Sequence, residues 1–283
     1  MSFSLRLAAA LVAFVAANAA PPPQRIVSAS PNVTEILYGV GAFNRVVGVT
    51  EFCTYPPEAK KLPRIGGWES NNLEAVVALR PDIVILTEPQ APFMESQLQK
   101  LGLHTLAVPS QRLDDVFKAI AMIGRVTGHE TQAAELEKDM RAKLDAVRNR
   151  TSKLPRRRVL LVVDRTPGTL RDLIVATKGS FLADLLVIAG GECVGEPSNQ
   201  GYERISKEAI VALDPDLVVD FVHGSKDRMG EDPQAVWRDL HELRAVRDGR
   251  VYPVRDDFLP HASQLVDKTA ELFAHILHPE AGR

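Results

Sequence analysis

The sequence has few of the features that mark enzymes or nucleic-acid-binding proteins. Aromatic residues make up 6% of its 283 positions, and its 2 cysteines are too few for a zinc ribbon. Lys and Arg total 34 against 36 Asp and Glu, so the net charge of −2 gives no electrostatic case for nucleic acid or an anionic membrane. Neither a P-loop nor a nucleophile elbow occurs. We therefore expect no catalytic residues, no metal site and no nucleic-acid partner.

Long apolar runs are also missing, apart from one near the N-terminus. "MSFSLRLAAALVAFVAANAA" combines a basic start at Arg6, an apolar stretch from Leu7 to Ala16 and a small-residue site, "ANA". This pattern predicts a secretory signal peptide over residues 1–19. The apolar stretch is shorter than the roughly 20 residues that a membrane span needs. No Cys follows the predicted cleavage site, so a lipid anchor there would have no acceptor.

One helix-then-strand pattern occurs twice. "NLEAVVALRPDIVIL" runs from Asn72 to Leu86, and "SKEAIVALDPDLVVD" runs from Ser206 to Asp220. Short β-rich runs such as "DIVILT" and "RRVLLVVD" alternate with helical stretches in both halves. These runs are apolar on both faces, as in a parallel sheet covered by helices. The alternation predicts the α/β fold class, with two similar lobes.

A helical stretch without a strand signal separates the two halves. It contains the amphipathic "LDDVFKAIAMIGRVTG" and the charged "HETQAAELEKDMRAKLDAVRNRTSK". A helix of about 23 residues reaches about 35 Å, whereas a flexible linker would carry Gly, Ser or Pro. We therefore expect an N-terminal lobe over 24–112, a rigid linking segment over 113–153 and a C-terminal lobe over 154–280, joined by a long rigid α-helix.

Ligands of open α/β sheets bind beyond the carboxyl ends of the strands, which points to a cleft between facing lobes. Although aromatics are scarce, several follow predicted strands, together with two polar residues: Phe52, Tyr55, Trp68, Tyr202, Asp257, Phe258 and His261. Rings on loops suggest a large planar or apolar ligand, and each stacking contact adds about 0.5–1.5 kcal/mol. The alternative for any one ring is that it folds back and plugs the end of a sheet.

Glu74 and Glu208 occupy equivalent positions of the repeated pattern, each in the first turn of its helix. Unpaired N–H groups favour a carboxylate at that position, which is enough to explain both. The other interpretation is a matched pair of acidic side chains, one per lobe, that fits a two-fold-symmetric basic partner. The residues alone leave both interpretations open.

Several local expectations concern pairs of residues. Cys53 and Cys193 fall in different halves, so we expect two separate thiols, although an oxidising compartment permits a bridge. A secreted α/β hydrolase would require a nucleophile–base pair, and Ser30 with His261 is the pairing that fits. An N-cap role for Ser30 is simpler.

Two expectations concern local secondary structure. We expect a helix over 233–243, and a capping box in which Glu35 follows Asn32 by three residues.

Several stretches resemble a known family. They are "RIVSASPNVTEILYGVG", "VVGVTEFCTYPPEAKKLPRIGGWESNNLEAVVALRPDIVIL", "GGECVGE", "ISKEAIVALDPDLVV" and "LRAVRDGRVYPV", together with the central helix. They resemble the helix-linked periplasmic substrate-binding proteins of bacterial ABC importers, the subgroup that handles cobalamin, haem and iron–siderophores. The resemblance is greatest to the cobalamin-binding members. It implies a periplasmic monomer that captures a cobalamin-like corrinoid between its lobes, without catalysis, and delivers it to an ABC permease dimer in the inner membrane.

The resemblance also implies roles for individual residues. Phe52, Trp68 and Tyr202 match ring-contacting positions that hold Tyr, Trp and Trp in the cobalamin-binding members. Asp257 and Phe258 match a ligand-contacting loop. A less aromatic pocket than the family pattern leaves haem or a ferric siderophore as the alternative ligand.

The same resemblance bears on further positions. Glu74 and Glu208 match two glutamates that meet permease arginines, which favours the docking interpretation of this pair. Thr87 replaces a tryptophan near the cleft, and Ile174 replaces a phenylalanine.

The alternative ligands would require other residues. Tyr55, Tyr202 or His261 would serve as the ligand to haem iron. The candidate arginines for a siderophore are Arg64, Arg165, Arg171 and Arg255.

Overall fold

The structure is a computed structural model that describes residues 21–68, 70, 72–222 and 232–282. The predicted signal peptide over 1–19 lies outside the described residues. Within them, the structure contains no helix long and apolar enough to cross a membrane.

The N-terminal lobe is built on a four-stranded parallel sheet with the order β2-β1-β3-β4. Its strands are β1 (Ile26–Ser28), β2 (Val46–Val49), β3 (Ile83–Thr87) and β4 (Thr105–Val108). Its helices are α1 (Pro31–Gly39), α2 (Leu73–Ala78) and α3 (Ala91–Lys100). Alternate residues of β3 enter two separate apolar clusters, one on each face of the sheet. Burial on both faces explains why its strands read as continuous apolar runs.

The C-terminal lobe has a six-stranded sheet with the order β10-β9-β5-β6-β8, and β7 pairs with the free edge of β5. Its strands are β5 (Arg157–Asp164), β6 (Ile174–Ala176), β7 (Gly191–Cys193), β8 (Tyr202–Arg204), β9 (Leu217–Phe221) and β10 (Val251–Val254). Its helices are α6 (Phe181–Ile188), α7 (Lys207–Leu213), α8 (Arg244–Arg247) and α9 (Val266–Leu277). The predicted two-lobed α/β class is confirmed, and β6 and β8 add antiparallel pairing at one edge.

The helix expected over 233–243 is wrong, because the structure has a single 3₁₀ turn there, Ala235–Trp237. Backbone N–H groups of this stretch donate to carbonyls three residues earlier, as in Trp237 to Gln234 and Leu240 to Trp237. Trp237, Leu240 and Leu243 are buried at a spacing of three residues. A three-residue repeat suits the 3₁₀ geometry better than the 3.6-residue α-helix.

The repeated sequence pattern is also a repeated structure. Asn72 caps α2 by accepting a hydrogen bond from the N–H of Ala75, and Ser206 caps α7 by accepting one from Ala209. Each cap satisfies a backbone donor that the helix leaves without a partner. The helix of the repeated pattern therefore begins with the same type of side-chain N-cap in both halves.

The two copies also end their helices alike. Arg80 (φ 46°) and Asp214 (φ 38°) are non-glycine residues in the left-handed region, and each precedes a proline. Asp82 and Asp216 follow these prolines. Their carboxylates accept hydrogen bonds from backbone N–H groups beside the neighbouring strand, from Arg25 at 2.9 Å and from Arg158 at 2.8 Å. The turn and its carboxylate thus fix where β3 and β9 start beside their partner strands.

The linking segment consists of two helices, α4 (Leu113–Thr127) and α5 (Glu130–Thr151). Gly128, with φ 70°, ends α4 in the left-handed conformation that glycine adopts without steric cost. α4 packs against α1 and β4 of the first lobe and against α6 of the second, and α5 packs against α6 and α9. The linking helices are therefore part of the core and not a tether between two independent cores.

The expected capping box between Asn32 and Glu35 is wrong. The N-cap of α1 is Ser30, without a side-chain cap hydrogen bond, and Glu35 is only 2% exposed. The Glu35 carboxylate accepts hydrogen bonds from Nδ1 of His261, at 2.7 Å, and from Oγ of Ser263. The Glu35 carbonyl also accepts one from Nε2 of Gln264, at 2.7 Å. We call these four residues the interlobe clasp, since they tie α1 to the segment that follows β10.

Both cysteines are buried free thiols. Cys53 lies beside the hydroxyls of Thr34 and Thr50, and Cys193 on β7 donates to the carbonyl of Ala176. Burial raises the pKa of the Cys53 thiol, and burial raises the pKa of Cys193 to about 11. Neither thiol therefore forms much reactive thiolate near neutral pH.

We expect Glu35→Ala to lower the free energy of unfolding by about 1–3 kcal/mol, because it leaves buried donors of the clasp without an acceptor. Urea unfolding checks this as a shift of the midpoint at constant m-value. The matched control is Glu58→Ala, which removes an exposed glutamate. Equal midpoints for the two variants would show that the clasp adds no stability.

A thiol assay tests the cysteine assignment. The folded protein should react slowly with Ellman's reagent at mildly alkaline pH, because both thiols are buried and protonated. The same protein unfolded in guanidinium chloride without reductant should release colour for both of its 2 cysteines. A protein that shows no free thiol even when unfolded would instead contain the disulfide.

Candidate functional site

A cavity of about 750 Å³ lies between the two lobes. One wall is the loop after β2 in the first lobe, including Phe52 and Thr54. The other wall is formed by the end of β5 with the turn after it, by β6 and β8, and by the loop after β10. Its volume lies in the range of about 300–1,000 Å³ that is usual for ligand sites. The structure thus has the cleft between lobes that the strand ends predicted.

The loop after β2 holds its shape through backbone contacts. The Arg64 guanidinium donates to the carbonyls of Thr50, at 2.7 Å, and Cys53, at 3.2 Å. The N–H of Glu51 donates to the carbonyl of Gly66 at 3.0 Å. These contacts leave the Phe52 ring on the outside of the loop, where it is 58% exposed and lines the cavity.

A buried ion pair underlies the second wall. The Arg165 side chain is fully buried, and its guanidinium contacts Asp220, also fully buried, with an N–O distance of 3.0 Å. The indole Nε1 of Trp237 donates to the same carboxylate at 2.9 Å. Asp164, directly before Arg165, lines the cavity, and its carboxylate accepts a hydrogen bond from the Arg165 backbone N–H at 2.8 Å. Arg165 therefore shapes this wall but offers no unpaired charge to a ligand.

The loop after β10 contributes Asp257 and His261 to the cavity. Asp257 is exposed, and Oγ1 of Thr54 lies 3.5 Å from its Oδ2, so the two walls come together at this rim. His261 belongs both to the cavity and to the interlobe clasp, since its Nδ1 donates to Glu35. Phe258 is partly buried and packs against the core, and it does not belong to the cavity lining.

Two predicted tyrosines lie away from the cavity lining. The Tyr55 ring packs edge-on against Tyr38, with ring centroids 5.4 Å apart. Tyr202 lies on β8 and packs against the core. Burial raises the pKa of Tyr55 above its usual value, with contributions from Tyr38 and Glu35, and burial raises the pKa of Tyr202 further. Both phenols are therefore protonated near neutral pH, which makes neither a ready phenolate ligand.

Trp68 is 36% exposed and contacts the ring of Phe93, with a centroid distance of 5.8 Å. Gln90, fully buried, holds this region together. Its Nε2 donates to the carbonyls of Ala29, at 2.7 Å, and Trp68, at 3.4 Å, while its Oε1 accepts from the hydroxyl of Thr87 at 3.0 Å. Sequence reasoning did not find Gln90. The spacing of a Thr and a Gln three residues later, typical of a capping box, was the available signal.

The described part of the cavity lining is rich in carboxylates. Its described residues include Glu51, Asp164, Asp172 and Asp257 against two arginines. Both arginines already have acidic partners, Arg165 with Asp220 and Arg204 with Asp172. Such a surface accepts hydrogen bonds from amides and repels anions.

The other proposed siderophore arginines do not change this balance. Arg64 is engaged with the backbone carbonyls of its own loop. Arg171 and Arg255 are exposed and lie outside the cavity lining. Across the described ranges, no group of three or more His, Cys, Asp and Glu side chains is placed to hold a bare metal ion.

The remaining candidates have clear positions. Ser30 donates its hydroxyl to Oδ1 of Asn32, and His261 is engaged with Glu35, so the pair considered for a hydrolase has separate partners. Glu74 and Glu208 are exposed in the first turns of α2 and α7. Hydrogen bonds from its own N–H and from Ser206 lower the pKa of Glu208, which keeps it ionised.

Comparisons with known proteins agree with this architecture. Residues 26–257 match the family described as "Periplasmic binding protein". An ABC transporter substrate-binding lipoprotein of Bacillus subtilis is 31% identical over 91% of this chain and 81% of its own length. The vitamin B12-binding protein of Pectobacterium atrosepticum is 26% identical over 76% of this chain and 77% of its own.

A solved structure has a similar fold, and its name states a different ligand. The periplasmic heme-binding protein of Pseudomonas aeruginosa is 28% identical, covers 91% of this chain and 94% of its own, and superposes with a TM-score of 0.75. The chain is a substrate-binding protein of the ABC transporter class, with the extracytoplasmic location of that class. By the match over most of its length, it belongs to the periplasmic binding protein family.

Proposed function

We propose that this protein captures a cobalamin-like corrinoid in the periplasm, between its two lobes, and delivers it to an ABC permease. The observation that carries the proposal is the cavity between the lobes, with carboxylates on both walls and with both arginines of its described lining paired with acidic residues. The corrin ring is edged with carboxamides, whose N–H groups donate hydrogen bonds to carboxylates. The flat ring also offers an apolar face to the exposed Phe52 side chain.

Charge separates the corrinoid from the other candidate ligands. Haem carries two propionates, and ferric siderophores are often anionic. An anion placed in this cavity would meet Glu51, Asp164 and Asp257 without a free arginine in the described lining to balance its charge. Burying such an unpaired charge is costly. The vitamin B12-binding name of one relative supports the same choice.

Haem remains the second candidate because of His261. The imidazole lines the cavity, and its Nδ1 is fixed by the buried Glu35 carboxylate, which leaves Nε2 for a ligand. A carboxylate behind a histidine is the usual arrangement for metal-ligating imidazoles. The heme-binding name of the Pseudomonas aeruginosa structure agrees with this candidate.

Spectral titration distinguishes these ligands, because cyanocobalamin, haemin and ferric siderophores all absorb visible light. We expect the purified mature chain to retain cyanocobalamin through gel filtration and to melt at a higher temperature with it, since a ligand that binds only the folded state stabilises it. Retention of haemin instead would shift the assignment to the second candidate. Retention of none of the three, with unchanged melting temperatures, would refute the ligand proposal.

We propose further that Glu74 and Glu208 are the contacts to the permease, one from each lobe, in a complex with a monomeric binding protein. Both side chains are exposed at equivalent helix starts. The variants Glu74→Ala and Glu208→Ala should bind ligand as the parent does but lower transport through the host's corrinoid permease in proteoliposomes by about tenfold, a loss of about 1.4 kcal/mol.

The matched control for this test is Glu135→Ala, which removes an exposed glutamate from α5. It should leave both transport and ligand binding unchanged. If Glu74→Ala and Glu208→Ala abolish ligand binding instead, the two glutamates support the structure of the lobes and not the docking.

A further inference from the structure

Phe93 is an exposed aromatic residue on a helix that buries its other large apolar side chains. α3 buries Met94 and Leu98 against the first lobe, while the Phe93 ring next to Met94 is 48% exposed. The helix starts directly after the 3₁₀ turn Glu88–Gln90, at the carboxyl end of β3. Phe93 therefore occupies the ligand side of the sheet and contributes little to the core.

Two further rings, Trp68 and Phe93, lie near Phe52 but outside the described lining of the cavity. Phe52 lines the cavity, and its ring edge lies 3.7 Å from the position that a Cβ of Gly67 would occupy. The residue after Gly67 is Trp68, whose ring contacts Phe93 at a centroid distance of 5.8 Å and an interplanar angle of 57°. We call Phe52, Trp68 and Phe93 the aromatic platform.

Buried hydrogen bonds hold the platform in place. Gln90 joins the carbonyl of Trp68 to the end of β1 at Ala29 and to Thr87 at the end of β3. Phe93 lies one helical turn beyond this fully buried amide. Gln90 therefore connects Trp68, and Phe93 on the adjoining helix, to the ends of β1 and β3.

We propose that Phe93 is a ligand-contacting residue, the third ring of a surface that covers the macrocycle from the side of the first lobe. This inference rests on the proposed corrinoid function. At the end of β3, Thr87 offers the cleft no ring, and its side chain is 4% exposed and bonded to Gln90. Phe93, reached from the same strand end, provides aromatic surface in its place.

The test is calorimetric titration of cyanocobalamin into Phe93→Ala, Phe93→Tyr and Leu101→Ala. Loss of one ring contact should weaken binding by about 2- to 12-fold in Phe93→Ala. Phe93→Tyr keeps the ring and should bind as the parent does. Leu101→Ala is the matched control, because Leu101 is 52% exposed at the other end of α3, and it should leave affinity unchanged.

Each outcome decides between specific alternatives. Equal affinities for Phe93→Ala and the parent overturn the inference, as does an equal loss in Leu101→Ala. If Phe93→Ala binds cyanocobalamin normally but loses transport in proteoliposomes, the ring belongs to a permease contact and the inference fails.

Failure of the proposed function is recognised separately. If the parent protein takes up haemin but not cyanocobalamin, the corrinoid assignment fails, and the same three variants titrated with haemin decide whether the ring contacts the ligand. A parent that binds neither macrocycle overturns both proposals. Melting temperatures within a degree or so of the parent show that the variants are folded.

Discussion

The structure depends on one apolar core that passes through the linking helices into both lobes. Ile36 of α1, Ile120 of α4 and Phe273 of α9 belong to the same buried cluster. Because protein interiors are close-packed, a change in the angle between the lobes would open voids in this cluster. The spacing of the two cleft walls is thus set by the packing behind them, and large hinge motions of the kind seen with flexible linkers are disfavoured.

The interlobe clasp connects that packing to the cleft. His261 contributes one ring nitrogen to the buried Glu35 carboxylate, and the same side chain lines the cavity. Thr54 and Asp257 bring the two walls together at the rim. A ligand that contacts this corner therefore meets residues whose positions are already fixed by buried hydrogen bonds, which lowers the entropy lost on binding.

Local signals in the sequence were sufficient for most of the secondary structure and for the duplicated lobes. β5 runs from Arg157 to Asp164, as predicted, and its central residues 159–162 are apolar because the strand is buried on both faces there. The strands β6, β7 and β8 have three residues each, too few to show a period. The expected helix at Trp237 was wrong because burial at every third residue also fits 3₁₀ geometry, and the structure has a single 3₁₀ turn there.

The position of the cavity was predictable from the sequence, but the contacts around it were not. Strand ends pointed to the cleft and to Phe52, Asp257 and His261, which the structure brings to one cavity. The roles of Glu35 and Gln90 depend on contacts with residues far away in the chain, such as His261 and Ala29, and no local pattern encodes such pairs. Tyr202 and Phe258 pack against the core instead of lining the cavity, which is the alternative that any loop aromatic allows.

The interlobe clasp joins residues that are synthesised far apart in time. Glu35 meets the ring of a residue 226 positions further along, so its hydrogen-bond donors do not exist until the ribosome has made nearly the whole polypeptide. Until then, α1 holds a carboxylate that prefers water to the interior. The N-terminal half therefore completes this buried hydrogen-bond network only once residues 261–264 are present.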